Sequence, residues 1–159
     1  MPNRLVFPGG AVDAEDHIAP AATALRAAVR ARLEAAADPS LAHALAIAVI
    51  RELEEETGLS LGRPPPLDRL DYLCRAITPA HLPVRFDARF FVVTADAANG
   101  ALGGSGELEG LRFYPVAEAL ALDLAHATRG ALTRLLAWRE MTPAQRDAVA
   151  AEDMLLRRV

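Results

Sequence analysis

The chain has 159 residues and a formal net charge of −4; hydrophobic residues make up 52% of it and charged residues 24%. This length and composition predict one soluble globular domain, and the negative charge argues against non-specific binding of nucleic acid. The lone Cys74 excludes an internal disulfide. Since the chain shows neither a signal sequence nor an apolar run of about 18 residues, we expect a cytoplasmic protein without membrane spans.

The first motif along the chain is Phe7-Pro8-Gly9-Gly10, which follows a short apolar run that we interpret as the end of a strand. Two adjacent glycines let the backbone turn tightly and approach a ligand or an ion closely. An acidic loop over residues 13–17 comes next and contains Asp16.

Residues 18–40 predict a helical segment. Pro20 suits the first turn of a helix, and the alanines and arginines that follow favour its continuation to about Ala37. This segment could shape a substrate pocket or could only pack against the rest of the domain. Its expected apolar stripe consists of Leu25, Val29 and Leu33.

The strongest helix signal covers residues 41–58. Ser40 is the expected N-cap, and Gly58 stands where a helix commonly ends with a left-handed residue. The buried stripe is expected to consist of Leu41, Leu45, Val49 and Leu53, broadened by Ile47 and Ile50.

Three glutamates, Glu52, Glu55 and Glu56, lie on one face near the end of this helix, opposite the expected buried stripe. Their carboxylates repel one another, and a bound divalent cation would compensate, because hard oxygen ligands suit Mg²⁺ or Mn²⁺. Arg51 lies one turn before Glu55 and could brace its carboxylate. The alternative is a solvated run of charge on a surface helix, as most acidic runs are.

Two strands are predicted after the helix. Residues 67–77 form the first, with Leu70, Tyr72 and Cys74 on one face. In the second, residues 85–95, charged and apolar side chains alternate clearly, so one face enters the core and the other presents arginines. Because a guanidinium suits phosphate, we expect Arg85 or Arg89 to bind a substrate phosphate or to brace the acidic cluster. An internal Arg–Asp pair on a solvated strand face is the alternative.

The rest of the chain begins with a glycine-rich loop, residues 99–106, which lacks the Gly-Lys-Ser/Thr of a Walker phosphate loop. Glu107 follows it, and a short strand is expected at 111–114. Residues 116–159 are expected to be C-terminal helices, at 116–122, at 128–140 and from Pro143 with Thr142 as its cap. The histidines show no metal-ligand spacing: they are His17, His43, His81 and His126.

The Phe-Pro-Gly-Gly turn and the sequence Arg-Glu-Leu-x-Glu-Glu-x-Gly-Leu over residues 51–59 together resemble the Nudix box. The resemblance covers about residues 4–120 and implies a single Nudix-like domain over residues 1–159. Its fold would be of the α/β (α+β) class, an α/β/α sandwich with a mixed sheet. Only eight residues precede Gly9, so the sheet is expected to lack its N-terminal strands, and the exposed edge could pair in a homodimer.

Two departures from the family pattern are informative. Asp16 stands where the family has a glutamate, and roughly 27 extra residues separate that acid from Arg51. A branch of the family that includes coenzyme A diphosphatases carries such an insertion inside the box. The stretches Ile77–His81 and Arg85–Phe91 also resemble that branch.

The resemblance implies a hydrolase that cleaves a nucleoside diphosphate linked to another moiety, with Mg²⁺ or Mn²⁺ as cofactor. Coenzyme A or acyl-CoA is the first choice of substrate, and ADP-ribose, dinucleotide polyphosphates and NAD-type compounds stay open. A non-catalytic nucleotide-binding module, or an inactive shortened domain, is the rival interpretation. The implied metal ligands are Glu52, Glu55, Glu56 and the Gly9 carbonyl. The implied catalytic residues are Glu52, Glu55 and Glu107, with Glu107 favoured over Glu52 as the base and Glu109 as the substitute for Glu107.

Overall fold

The computed structural model describes residues 4–81, 85–149 and 153–155, and it has the mixed α+β class that the sequence predicts. The chain divides into two compact units. The helical unit with the diglycine turn comprises Pro8–Asp71 and Val92–Phe113; the sheet unit comprises Met1–Phe7, Tyr72–Phe91 and Tyr114–Val159. The single domain expected from the sequence stays a prediction.

The long helix α2, Pro39–Thr57, dominates the helical unit. It begins two residues earlier than predicted because the Asp38 carboxylate accepts the Leu41 N–H at 2.8 Å, with proline at the first helical position. Ser40 is therefore not the cap, and its hydroxyl meets His17 Nδ1 instead. The helix ends at Gly58, whose φ of 75° confirms the predicted left-handed residue.

The buried face of α2 differs from the predicted leucine stripe. The most buried apolar side chains are small alanines together with Ile47 and Ile50, whereas Leu41, Leu45, Val49 and Leu53 are only half-buried. The prediction is wrong because a repeat of four residues advances by about 40° at every step in a helix of 3.6 residues per turn. Such a stripe winds around the helix instead of staying on one face. Glu56, expected on the opposite face, is itself buried.

The segment before α2 contains a helix that is shorter than predicted. Helix α1, Ala27–Glu34, does not start at Pro20, because the backbone before it pairs with another segment. Ala22 N–H donates to the Pro65 carbonyl at 2.9 Å, and Thr23 forms a bridge with Pro66. The predicted apolar stripe is buried, at Leu25 just before α1 and at Val29 and Leu33 within it.

Among the described residues, no single helix is long and apolar enough to cross a membrane. The consecutive helices α1 and α2, bent by 113°, reach that length and composition only when they are taken together.

In the part of the sheet unit that the structure describes, three strands form a sheet in the order β2-β1-β3. Strand β1, Asp71–Ile77, starts later than predicted because Leu67–Arg69 form a 3-10 turn, and its alternation buries Tyr72 and Cys74 as expected. Strand β2, Asp87–Val92, is also shorter than predicted. Strand β3, Asp153–Leu155, lies parallel to β1 in a region where only helices were expected. The homodimer stays a prediction.

Between residues 114 and 149 the sheet unit contains the helices α3, Val116–Ala121; α4, His126–Arg139; and α5, Pro143–Ala148. Thr142 caps α5 as predicted, in a reciprocal capping box with Gln145. The strand predicted at 111–114 is absent, and Phe113 is 68% exposed, so this run does not bury the face that would stabilise a strand. Leu124 and Leu132 lie in the small core beside α3.

Candidate active site

The diglycine turn lies against the end of α2. The Gly9 N–H donates to Glu56 Oε2 at 2.7 Å. Gly10 packs so closely on Glu52 that an added Cβ would overlap its carboxylate. A side chain at Gly10 would displace the end of Glu52, and the carboxylates of Glu52 and Glu56 both face the turn.

Arg51 joins the turn and the acidic loop to α2. Its guanidinium donates to both carboxylate oxygens of Asp16, at 3.2 and 3.0 Å, and to the Ala11 carbonyl at 3.1 Å. It also reaches Glu52 Oε1 at 2.8 Å and Glu55 Oε2 at 3.4 Å. The predicted brace on Glu55 thus exists, but the shorter contacts are with Glu52 and Asp16. One cation ties segments 35 residues apart, which explains why the insertion does not separate the two halves of the motif.

Asp16 is part of this brace. Its side chain is only 3% exposed, and it also accepts the Asp13 N–H at 2.8 Å. Burial alone would raise the pKa of Asp16, but the hydrogen bonds from Arg51 and Asp13 outweigh it and hold the pKa below its ordinary value. The shorter acid therefore closes the loop against Arg51 instead of projecting into the acidic cluster.

Glu56 has the opposite environment. It is 8% exposed, and burial raises its pKa above the ordinary value in spite of the bond from Gly9. The carboxylates of Glu52, Glu107 and Glu55 raise the pKa of Glu56 further. Three other glutamates thus act on Glu56 at the end of α2, and all four are acids that the sequence singled out.

The glycine-rich loop brings Glu107 close to the glutamates at the end of α2. Gly103 N–H donates to the Thr57 carbonyl at 3.0 Å, and Ser105 N–H to the Glu55 carbonyl at 3.1 Å. Asn99 and Ser60 exchange two backbone hydrogen bonds, at 2.9 and 2.8 Å. The loop therefore satisfies carbonyl groups at the helix end. This role was not predicted from the sequence, although the four glycines between residues 100 and 106 indicate a close backbone approach.

The arginines of the second strand lie in the sheet unit. Arg89 Nη1 is 2.9 Å from Asp87 Oδ1, and Arg75 binds the same carboxylate through two hydrogen bonds at 2.7 and 2.9 Å. The Arg75 hydrogen bond, together with the nearby Arg89, holds the pKa of Asp87 below its ordinary value. The structure thus contains the internal Arg–Asp pairing named as the alternative, and Arg85 is exposed. Phosphate binding by Arg85 or Arg89 stays a prediction.

The prediction that the apolar face of this second strand enters the core is wrong at Phe86, which is 63% exposed. Phe86 lies one residue before β2, where its backbone pairs with Thr78: its carbonyl accepts the Thr78 N–H at 2.9 Å, and its N–H donates to Thr78 Oγ1 at 3.0 Å. Backbone pairing therefore extends past the strand without burying the aromatic ring.

Other polar side chains near α2 have structural partners. Glu54 binds Arg63 at 2.7 Å and accepts the Ser60 hydroxyl at 3.1 Å, on a different face from the acidic cluster. His17 contacts Ser40 Oγ at 2.8 Å, and His43 contacts the Ala19 carbonyl at 2.9 Å. These two histidines attach the insertion to the start of α2.

The acidic cluster fits a divalent cation by its chemistry. Its donors are hard carboxylate oxygens, their mutual repulsion favours a cation among them, and the diglycine turn leaves the backbone exposed beside them. Across the residues that the structure describes, no three His, Cys, Asp or Glu side chains are close enough together to hold a metal ion as they stand. Binding would therefore require the glutamate side chains to turn towards one ion.

A family model for the NUDIX domain matches residues 42–136, which is more than half of the chain. The chain belongs to the Nudix family. The match begins within α2 and includes the acidic helix, the glycine-rich loop and the first helices of the sheet unit. No curated protein and no solved structure gives a significant match.

Membership of the Nudix family indicates a hydrolase that acts on phosphorus-containing anhydrides, with a small nucleotide derivative as substrate. Nudix proteins generally use divalent metals such as Mg²⁺ or Mn²⁺. The diglycine turn and Asp16 lie outside the matched residues, and it is the contacts of Gly9, Gly10 and Arg51 that join them to the Nudix helix.

Proposed function

We propose that this Nudix protein is a Mg²⁺- or Mn²⁺-dependent hydrolase that cleaves the pyrophosphate of a nucleoside diphosphate linked to another moiety. The observation that carries the proposal is the convergence of Glu52, Glu55, Glu56 and Glu107, with Glu56 buried among like charges. Keeping such a carboxylate charged costs folding free energy, and a bound cation would offset that cost.

In this proposal Glu52 and Glu56 hold the cation, with Glu55 and the Gly9 carbonyl completing its shell. The cation would neutralise charge on the pyrophosphate oxygens and lower the pKa of a water molecule. Glu107, on the loop that grips the helix end, would take the proton from the attacking water. Arg51 would keep Glu52 in place through its 2.8 Å contact.

Coenzyme A or an acyl-CoA is the proposed substrate. This choice depends on the insertion before α2 and on the stretches Ile77–His81 and Arg85–Phe91. The insertion is folded: the valine and the leucine of α1 are buried, and Arg26 forms an ion pair with Asp71. A folded insertion in the same unit as the cluster could select the moiety attached to the diphosphate. Arg85 or Arg89 would bind a phosphate of the substrate.

One observation favours the rival, a non-catalytic nucleotide-binding module. Asp16 is committed to Arg51, and among the described residues no set of three ligands is assembled in advance. A binding module would recognise the nucleotide without turnover, and its affinity would depend little on the charge of Glu56.

The test is a panel of coenzyme A, acetyl-CoA, ADP-ribose, diadenosine polyphosphates and NADH, with Mg²⁺, Mn²⁺ or EDTA. Products are treated with phosphatase, and the released phosphate is measured. We expect turnover of coenzyme A that requires metal, that is lost in Glu56→Gln and that persists in Glu54→Gln. Turnover of ADP-ribose with coenzyme A untouched would refute the substrate choice, and binding without turnover of any compound would favour the rival.

A further inference from the structure

Three consecutive residues of the glycine-rich loop lie along the last turn of α2. The amides of Gly103 and Ser105 donate to the Thr57 and Glu55 carbonyls, at 3.0 and 3.1 Å. Between them, the backbone of Gly104 lies directly on the Glu56 carbonyl. The loop therefore contacts consecutive backbone groups of the turn that carries the metal-binding glutamates.

Only glycine fits at residue 104. An added Cβ would overlap the Glu56 carbonyl group and lie 2.9 Å from the Thr57 nitrogen. These are backbone atoms of a helix, which cannot rotate away as the end of a long side chain could. Gly103 differs from its neighbour, because a Cβ there would meet no atom within 4 Å. Neither glycine has a positive φ, so the difference between them is one of space and not of backbone strain.

This close approach controls where Glu107 lies. Glu107 follows Ser105 by two residues, which span at most about 7 Å of extended chain. Since Ser105 is hydrogen-bonded to the Glu55 carbonyl, Glu107 stays near the glutamates only while the loop remains on the helix. A loop displaced by a side chain at residue 104 would carry Glu107 away from Glu56.

We propose that Gly104 is a positioning residue, which seats the loop on the last turn of α2 and thereby fixes Glu107 beside Glu56. This inference rests on the function proposed above for the glutamates. Gly104 touches no substrate itself; it acts through the position of Glu107.

The test compares Gly104→Ala with Gly103→Ala as the matched control, in the full chain. Amide hydrogen exchange, measured by NMR, reports the Gly103 and Ser105 amides directly. In the wild type we expect both amides to be protected; if they exchange as fast as amides of an unstructured peptide, the proposal is overturned whatever the variants do. Gly104→Ala should lose this protection at both residues, whereas Gly103→Ala should retain it at residues 103 and 105. Protection that survives in Gly104→Ala would also overturn the proposal.

Turnover supplies the second readout. A misplacement of about 1 Å can cost on the order of a hundredfold in rate, so we expect kcat of Gly104→Ala to fall about tenfold to a hundredfold with little change in KM. The double variant Gly104→Ala, Glu107→Gln should be no slower than Glu107→Gln alone, because both changes remove the same group. Independent, multiplicative losses would contradict a role through Glu107.

The two proposals can fail separately. If the wild type and Gly103→Ala turn over no substrate while the exchange pattern is as expected, the proposed function fails and the seating of the loop stands. If the wild type is active and Gly104→Ala equals Gly103→Ala in rate and exchange, the role of Gly104 fails alone. Should Gly104→Ala not fold, as judged by circular dichroism, the wild-type exchange measurement still decides.

Discussion

The acidic loop and the end of α2 each bury one carboxylate, that of Asp16 and that of Glu56. The pKa values of these two carboxylates are shifted in opposite directions. Asp16 receives two hydrogen bonds from Arg51, and its pKa falls below the ordinary value. Glu56 accepts a hydrogen bond from the Gly9 amide but is buried and faces other carboxylates, so its pKa lies above the ordinary value. Burial is common to both, so the neighbours decide the outcome. A paired acid holds the structure together, whereas an acid among like charges is a candidate functional group.

The largest effect is expected at Glu56, whose buried carboxylate faces other carboxylates. Glu56→Gln should lower kcat at least about a hundredfold, since a ligand of the proposed cation would be lost. The same change should raise the free energy of unfolding of the metal-free protein, because a buried charge is removed. Activity assays and urea denaturation in EDTA measure the two effects.

Glu54→Gln is the matched control for that change. Glu54 lies on the same helix but pairs with Arg63 and Ser60. We expect its activity to match the wild type and its stability to change by no more than about 1 kcal/mol. Equal losses of activity in the two variants would contradict the proposal that only the face of α2 with Glu56 takes part in catalysis.

A smaller effect, on stability, is expected at Asp16, whose buried carboxylate is paired with Arg51. Arg51→Met leaves the Asp16 carboxylate buried without its guanidinium, which should cost about 2–3 kcal/mol in urea denaturation. The double variant Asp16→Asn, Arg51→Met should recover part of that loss, because the stranded charge is gone. Arg63→Met, at an exposed pair, should change the stability much less, because solvent screens that pair. If the two arginine variants are equally stable, Arg51 does not have the bracing role described above.

The opposite pKa shifts predict opposite dependences of stability on pH in the metal-free protein. Glu56 binds its proton more tightly when folded, so its contribution to stability falls as the pH rises from about its unfolded value of 4.5 through its raised folded pKa. Asp16 contributes stability that is present above its unfolded value of 3.8 and is lost as the pH falls through its lowered folded pKa. Urea titrations from acid to neutral pH should show the first slope diminish in Glu56→Gln and the second diminish in Asp16→Asn. Unchanged slopes in both variants would contradict the assignment.

A small effect, on stability alone, is expected at the far end of α2. Asp38→Ala removes the N-cap of the helix and should cost about 1 kcal/mol. Turnover should be unchanged, since the residue lies almost the full length of the helix from the glutamates. A loss of activity in the stable fraction of this variant would mean that the whole helix, and not its last turns, determines the site.

The last turns of α2 were predictable because local rules suffice there. Helical spacing places Glu52, Glu55 and Glu56 together, and Gly58 ends the helix as a left-handed residue should. The resemblance to the Nudix box placed the diglycine turn beside them, and the 2.7 Å contact between Gly9 and Glu56 agrees with it. The Nudix family itself is confirmed by the match over residues 42–136.

Features that depend on distant partners were not predictable. The chain before α1 is extended because the Ala22 N–H donates a hydrogen bond to the Pro65 carbonyl, and no local sequence pattern indicates that these two residues pair. Similarly, β3 forms by pairing with β1, far away in the chain. The role of Gly104 required knowledge that the loop returns to the Glu56 carbonyl. In each case a tertiary contact overrode the local preference.

The proposed divalent cation can be tested by titrating the metal-free protein with Mn²⁺ at neutral pH and measuring bound ion by electron paramagnetic resonance. Wild-type protein and Glu54→Gln should bind Mn²⁺ equally well, and Glu56→Gln should bind it at least about tenfold more weakly. Equal affinity in all three proteins, or no binding by the wild type, would contradict the assignment of the glutamates as a metal site.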